Sequence, residues 1–240
     1  MDAFDELSCP ALPATKRLFH DDPYLRVAEA EVLWAHGPFV VLDQTLFYAE
    51  SGGQEPDHGF INGLAVEDAQ YRGGRLLEKP PISVGAFIVH RLAAPTPFRA
   101  GETVSMQIDW ARRYANMRNH TACHFMYAGL QTLWGGEVGE LPSRGCHIHP
   151  EGSRMDFGAD LTPEAVEAAE GWANAKIREG GSIEMRRNGV HAEIFEWIYP
   201  DMAPIECGGT HCRNAGELGT MTLKRKRKGI GITRVTATLM

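Results

Sequence analysis

Two short intervals, each four residues wide, constrain this chain more than anything else in it. His120 and His124 sit in His120-Thr121-Ala122-Cys123-His124, and Cys207 and His211 sit in Cys207-Gly208-Gly209-Thr210-His211, about eighty residues later. Asp109 to Asn119 is rich in helix formers, and apolar residues recur at helical spacing from Phe125 to Leu133. Residues four apart on a helix share a face, about 5–6 Å apart at Cβ, so His120 and His124 can offer imidazole nitrogens to one metal ion. Cys207 and His211 flank a Gly-Gly pair whose flexible backbone lets both side chains fold inward. Either pair alone is commonplace. Together they give three nitrogens and one sulfur, a set that suits zinc. The spacing also excludes a zinc metalloprotease helix, which carries Glu directly after its first His as general base; here that position is Thr121.

A fold that serves these pairs must bring two distant segments together. With 240 residues there is room for one large domain or two modest ones. Residues 1–100 read as β: short runs at Val27–Leu33, Phe39–Asp43, Gly59–Val66, Gly74–Leu77 and Ile82–His90, separated by Gly, Pro and Asn. Evenly spaced short strands suggest a small barrel or sandwich, and a barrel-like subdomain is expected here. The prolines of Ala93 to Gly101 mark the expected boundary. Residues 101–240 read as an α+β sandwich of antiparallel sheet and helices that carries the zinc site. The predicted elements are a strand at Thr103–Asp109, a helix from Trp110 to Trp134 and a glycine-rich loop from Gly135 to Pro142. Strands at Arg144–His149 and Ser153–Gly158 follow, then a helix capped by Thr162 that ends near Glu179. Further strands are expected near Ser182–Arg187, Thr220–Arg225 and Gly231–Thr238. The fold class is therefore α+β.

Charge and cysteine usage narrow the function. A formal net charge of −7 excludes a protein that binds nucleic acid through its overall charge. Against that background Lys224-Arg225-Lys226-Arg227-Lys228 is either a solvated strand end or a local phosphate-contacting patch. The acidic start of the chain does not resemble a signal peptide, and no apolar run reaches the roughly eighteen residues of a membrane span. Five cysteines without framework spacing suit a reducing compartment. A cytoplasmic location without membrane contact is expected. Cys9 and Cys146 read as packing residues.

Three stretches in order, Asp43 to Gly59 with its Ser51-Gly52-Gly53-Gln54, Met117 to His124, and Glu206 to His211 followed by Gly216-Glu217-Leu218-Gly219, resemble the motifs of AlaX-type alanyl-tRNA editing proteins. Arg154-Met155-Asp156-Phe157 and Gly231 to Val235 fit the same pattern. The same module occurs as the editing domain of alanyl-tRNA synthetase, and the chain is similar to the freestanding form with the glycine-rich subdomain. The resemblance implies trans-editing: hydrolysis of mischarged tRNA(Ala), above all Ser-tRNA(Ala) with Gly-tRNA(Ala) second, at zinc held by His120, His124, Cys207 and His211. It also implies a pocket for the tRNA 3′ end. Cys123 and Cys212 depart from the family pattern beside the two zinc motifs, and in Arg144 to His149 the residue expected to point into the amino-acid pocket is His147.

The residues suggest roles beside these. Thr121 and Cys123 flank the ligands, within reach of a substrate hydroxyl or of nothing but helix packing. Gly208 and Gly209 allow backbone to approach substrate. Gln54 either faces the pocket as a catalytic group or belongs to a tight turn. Asp156 either holds a histidine ring or forms a salt bridge. Zinc would polarise an ester carbonyl and activate water, although four protein ligands describe a closed site. Two other readings stay open: a zinc-dependent hydrolase of another aminoacyl-tRNA or small aminoacyl ester, and a non-catalytic zinc-stabilised RNA-binding module.

Overall fold

A computed structural model describes residues 10–77, 83–134, 141–189 and 193–240. The architecture is mixed α and β, with mainly antiparallel sheets and few helices. Among the described residues no helix is long and apolar enough to cross a membrane. The chain forms two compact units, residues 1–50 with 56–113, and residues 51–55 with 114–240.

The first unit holds β1 (Lys16–Arg17), a single helical turn α1 (Leu18–Asp21), β2 (Val27–His36), β3 (Phe39–Leu42) and β4 (Gln44–Thr45). It continues through β5 (Gly59–Ile61), β6 (Leu64–Arg72), β7 (Arg75–Leu76), β8 (Ser83–Val84), β9 (Phe87–Leu92) and β10 (Thr103–Ile108). Six strands close on themselves in the order β10-β2-β3-β9-β6-β5. Alternation explains the interior: Val104, Met106 and Ile108 of β10 point in while their neighbours are exposed. They meet Ala30, Val32, Leu42, Ile61 and Ile88 in one apolar cluster.

Two sequence expectations need correction here. Gly59–Val66 is not one strand, because Asn62 (φ 45°) and Gly63 (φ 82°) take left-handed conformations and turn the chain back as a β5–β6 hairpin. An Asn-Gly pair is a strong two-residue hairpin signal. The proline-rich stretch from Ala93 to Gly101 is a connection within this unit, because β10 beyond it pairs with β2 and β5. The strand assigned from sequence to the second half therefore belongs to the first.

Helix α2 (Trp110–Trp134) is capped by Asp109, whose carboxylate accepts from the Arg112 amide at 3.1 Å. From Asn119 to Met126 every residue is buried, so the helix is the central post of the second unit rather than a surface element. Around it lie β11 (Ser143–His149), β12 (Gly152–Phe157), α3 (Pro163–Glu179), β13 (Glu184–Arg187), β14 (Phe195–Ile198), β15 (Ile205–Glu206), β16 (Met221–Gly229) and β17 (Ile232–Leu239). Helix α3 begins as its sequence predicts, with Thr162 accepting from the Ala165 amide at 3.2 Å, and stops at left-handed Gly180. Gly129 lets α2 approach α3, since a Cβ there would lie 3.0 Å from the Ala169 carbonyl oxygen.

The sheet order is β11-β12-β17-β16, with a separate sheet β13-β14-β15. Strands β14 and β15 have no counterpart in the sequence expectations, and β16 runs on through the basic segment to Gly229. The loop from Gly135 to Glu140 and Cys9 lie outside the described residues.

Candidate metal centre

One turn of α2 separates His120 from His124, and their rings lie 5.1 Å apart. The other pair arrives from β15. The Cys207 amide donates to the Phe195 carbonyl at 2.9 Å, extending the β14–β15 pairing, and the chain then turns through Gly208 and Gly209. The His211 ring comes to 4.2 Å from that of His120 and 4.6 Å from that of His124. Cys207 Sγ lies 3.5 Å from His120 Nε2 and 3.2 Å from His211 Nε2. All four ligand atoms fall within 4.8 Å of one another. A zinc tetrahedron with bonds of about 2.0–2.3 Å has edges of about 3.4–3.8 Å. The cluster is close to that size.

Hydrogen bonds fix which nitrogens face inward. Gln54 Oε1 lies 2.8 Å from His120 Nδ1 and accepts from the Thr210 amide at 3.1 Å, while Gln54 Nε2 donates to Thr210 Oγ1 at 2.9 Å. An oxygen that already faces an N–H makes Nδ1 of His120 the donor and leaves Nε2 with its lone pair toward the cluster. Thr121 Oγ1 donates to the Met117 carbonyl at 2.8 Å and lies 3.1 Å from His211 Nδ1. The hydroxyl's proton is spent on Met117, so His211 Nδ1–H must donate, and its Nε2 is again the free base. His124 Nδ1 is buried with no partner among the described residues, a ring nitrogen whose bonding the protein alone leaves unmet. Trp197, fully buried, packs 4.9 Å from the His124 ring.

Burial keeps the three imidazoles neutral: His120 is held down at about 3, and His124 and His211 well below the usual histidine range, with neighbouring histidines adding to the effect. Neutral imidazole is the form that binds a metal. Burial pushes the Cys207 thiol up to about 12, partly opposed by the Gly209 amide that points at its sulfur. A divalent cation favours the thiolate. The donor set therefore fits a cation of zinc's class.

The other candidate residues divide. Gln54 and Thr121 are fully buried against the cluster's histidines. Cys123 is buried too, and burial pushes its thiol up. Gly209 approaches His120 rather than open space, whereas a Cβ on Gly208 would meet nothing. His147 does not point inward: Ile148 takes the buried side of β11, and His147 lies half-exposed, 3.2 Å from Glu55. Asp156 forms a salt bridge with Arg234 at 2.6 and 2.7 Å and holds no histidine ring among the described residues. Cys146 donates to the Gly52 carbonyl at 3.1 Å. Lys224 to Lys228 lie exposed on β16. Thr210 and Trp197 are absent from the sequence expectations; Thr210 adjoins the ligand His211 and could be found by the adjacency that singles out Thr121, whereas only the fold brings Trp197 to the cluster.

The family model for tRNA synthetases class II (A) matches residues 23–112. The chain is 35% identical to the alanine–tRNA ligase of Ignicoccus hospitalis over 93% of its own length and 26% of that protein. It is 32% identical to the alanine–tRNA ligase of Pyrobaculum arsenaticum, over 93% of the chain and 27% of that protein. A ligase of the same name from Saccharolobus islandicus is 30% identical, over 92% of the chain. The chain spans about a quarter of the length of the curated relatives it matches; by sequence it is similar to that portion of alanine–tRNA ligases.

Proposed function

We propose that the chain is a trans-editing hydrolase that deacylates mischarged tRNA(Ala), chiefly Ser-tRNA(Ala) and secondarily Gly-tRNA(Ala), at a zinc ion held by His120, His124, Cys207 and His211. The observation that carries this reading is the convergence of the four side chains within 4.8 Å, two of their rings oriented by buried hydrogen bonds. Similarity to a quarter-length portion of enzymes named for joining alanine to tRNA supports tRNA(Ala) as the partner.

Bound zinc would supply Lewis acidity toward an aminoacyl ester and its attacking water. The protein's own groups prepare the place for it. Gln54 and Thr121 act here as positioning residues that hold His120 and His211, and Cys123 packs behind them. The buried, neutral imidazoles keep lone pairs available at neutral pH. Cys207 is the cluster member least covered by the protein, and the proposed approach for substrate is from its side. Gly208, with no atom near its missing side chain, leaves room there for the aminoacyl end.

A second reading, a zinc-stabilised RNA-binding module without turnover, is favoured by the four-ligand set itself, since structural zinc is four-coordinate with protein ligands alone. Incubating the zinc-loaded protein with Ser-, Gly- and Ala-tRNA(Ala) separates the two. Release of serine with alanine left in place supports hydrolysis. No release from a folded, zinc-loaded sample overturns it.

A further inference from the structure

The basic run does not act as one block, because β16 is a strand and its side chains alternate. Arg225 and Arg227 turn toward the inner side of the sheet. Arg225 Nε donates to the Leu161 carbonyl, and Arg227 lies 3.7 Å from Asp160. Their cross-strand partners, Val235 and Thr233, are buried. Lys224 and Lys226 pair with Thr236 and Arg234, which face outward. In the next strand Thr236 pairs with Arg154, and Arg154 pairs with His147. One straight row, Lys224-Thr236-Arg154-His147, thus crosses all four strands on the outer face.

The side chains of Lys224, Lys226 and Arg154 make no hydrogen bond or ion pair to another described residue, whereas Arg234 is neutralised by Asp156. Lys228 adds its charge to the same face, where it helps hold the Asp156 carboxyl below its usual range after the larger effects of Arg234 and then Arg154. Alternate residues along a strand are about 6.8 Å apart and adjacent strands about 4.8 Å apart. Lys224 and Lys226 therefore lie about 7 Å apart along the edge, with Arg154 about 10 Å inward, and Lys228 follows at the bulge between Arg227 and Gly229. This concentration of cations sits on a chain whose formal net charge is −7.

We infer that the outer face of the four-stranded sheet, through Lys224, Lys226, Lys228 and Arg154, holds the sugar-phosphate backbone of tRNA, while Arg225 and Arg227 brace the hairpin from behind. The inference rests on the proposed tRNA substrate and adds where its backbone lies. Such contacts fix position without reading sequence and make affinity fall with salt. The competing role is protective: lysines on an edge strand discourage pairing with another sheet.

The experiment measures binding of uncharged tRNA(Ala) across a salt series for the wild type, Lys224→Gln/Lys226→Gln/Lys228→Gln, and Arg225→Gln/Arg227→Gln. The face predicts that the lysine triple lowers the slope of log K against log salt by about 2–3 and weakens binding about tenfold or more near ~0.1 M salt. The arginine double keeps the wild-type slope and melts at lower temperature. Equal slopes in wild type and lysine triple overturn the inference and leave the lysines as edge guards. Serine release on the same preparations keeps the two ideas apart. A lysine-dependent slope without release retains the face and rejects hydrolysis; release with an unchanged slope does the reverse.

Discussion

Gly209 lies against the ring of His120 so closely that a Cβ added to it would stand 2.1 Å from Cε1 and 2.3 Å from Nδ1. The position needs glycine for space, not for an unusual backbone angle. Gly209→Ala must push the ring off its place and break its bond to Gln54. Metal affinity should fall by about 10–100-fold, the usual cost of disturbing groups that orient a ligand, measured by competition with a chelator. Gly208→Ala, with open space around it, should leave affinity unchanged.

Gln54 supplies both an acceptor to His120 and a donor to Thr210. Gln54→Ala leaves the Nδ1 proton and the Thr210 amide without partners in a buried place, and zinc affinity should drop by about 10–100-fold. Gln54→Glu keeps an oxygen for both N–H groups and accepts the Thr210 hydroxyl proton, so it should restore most of the affinity. Equal losses in the two variants would mean that the amide matters only as packing.

The two four-residue intervals were legible because each is local: a helix face in one case, a Gly-Gly turn in the other. Helix α3 was legible for the same reason, its Thr162 cap and Gly180 stop being written within a few residues of its ends. What the chain did not disclose locally was partnership across distance. Gln54 comes to His120 through backbone bonds with Ile148 on β11, and no pattern near residue 54 announces that. The same holds for β10, whose partners lie far back in the chain at β2 and β5. The Asn62-Gly63 hairpin was a readable signal that the apolar residues on both sides of it masked. His147 was misdirected because the face of β11 that turns inward depends on register, and a shift of one residue exchanges the faces.

Arg113 and Asp57 form a fully buried ion pair in the first unit. The guanidinium also donates to the carbonyls of Pro23 and Leu46, and the carboxylate accepts the Tyr48 amide at 2.7 Å. Asp57→Ala would leave a cation without its counter-charge in the interior. Urea unfolding should register a loss of about 3–5 kcal/mol. Metal content in the folded fraction should not change, since neither residue touches the cluster.

His90, wholly inside the strand ring, hydrogen bonds to Thr45 Oγ1 at 2.8 Å and to the Val40 carbonyl at 3.2 Å. Burial holds its imidazole down at about 4, against an ordinary 6.5, with the Val40 carbonyl opposing in part. The unfolded chain therefore takes up this proton first. The contribution of His90 is nil above pH 6.5, turns unfavourable as pH drops through that value, and levels off near pH 4, while the buried histidines of the cluster add their own loss on the same limb. At about 1.4 kcal/mol per unit the loss from His90 is on the order of 3 kcal/mol. His90→Gln should flatten the acid limb of stability against pH by close to one proton in that window.

The most direct measurement is the zinc content of the purified, folded protein. Equimolar zinc that is retained through gel filtration, and lost in His124→Ala and in Cys207→Ser, is the expected result. A folded wild-type chain that takes up no divalent cation, or one that binds it equally well without His124 and Cys207, would contradict the account at its base.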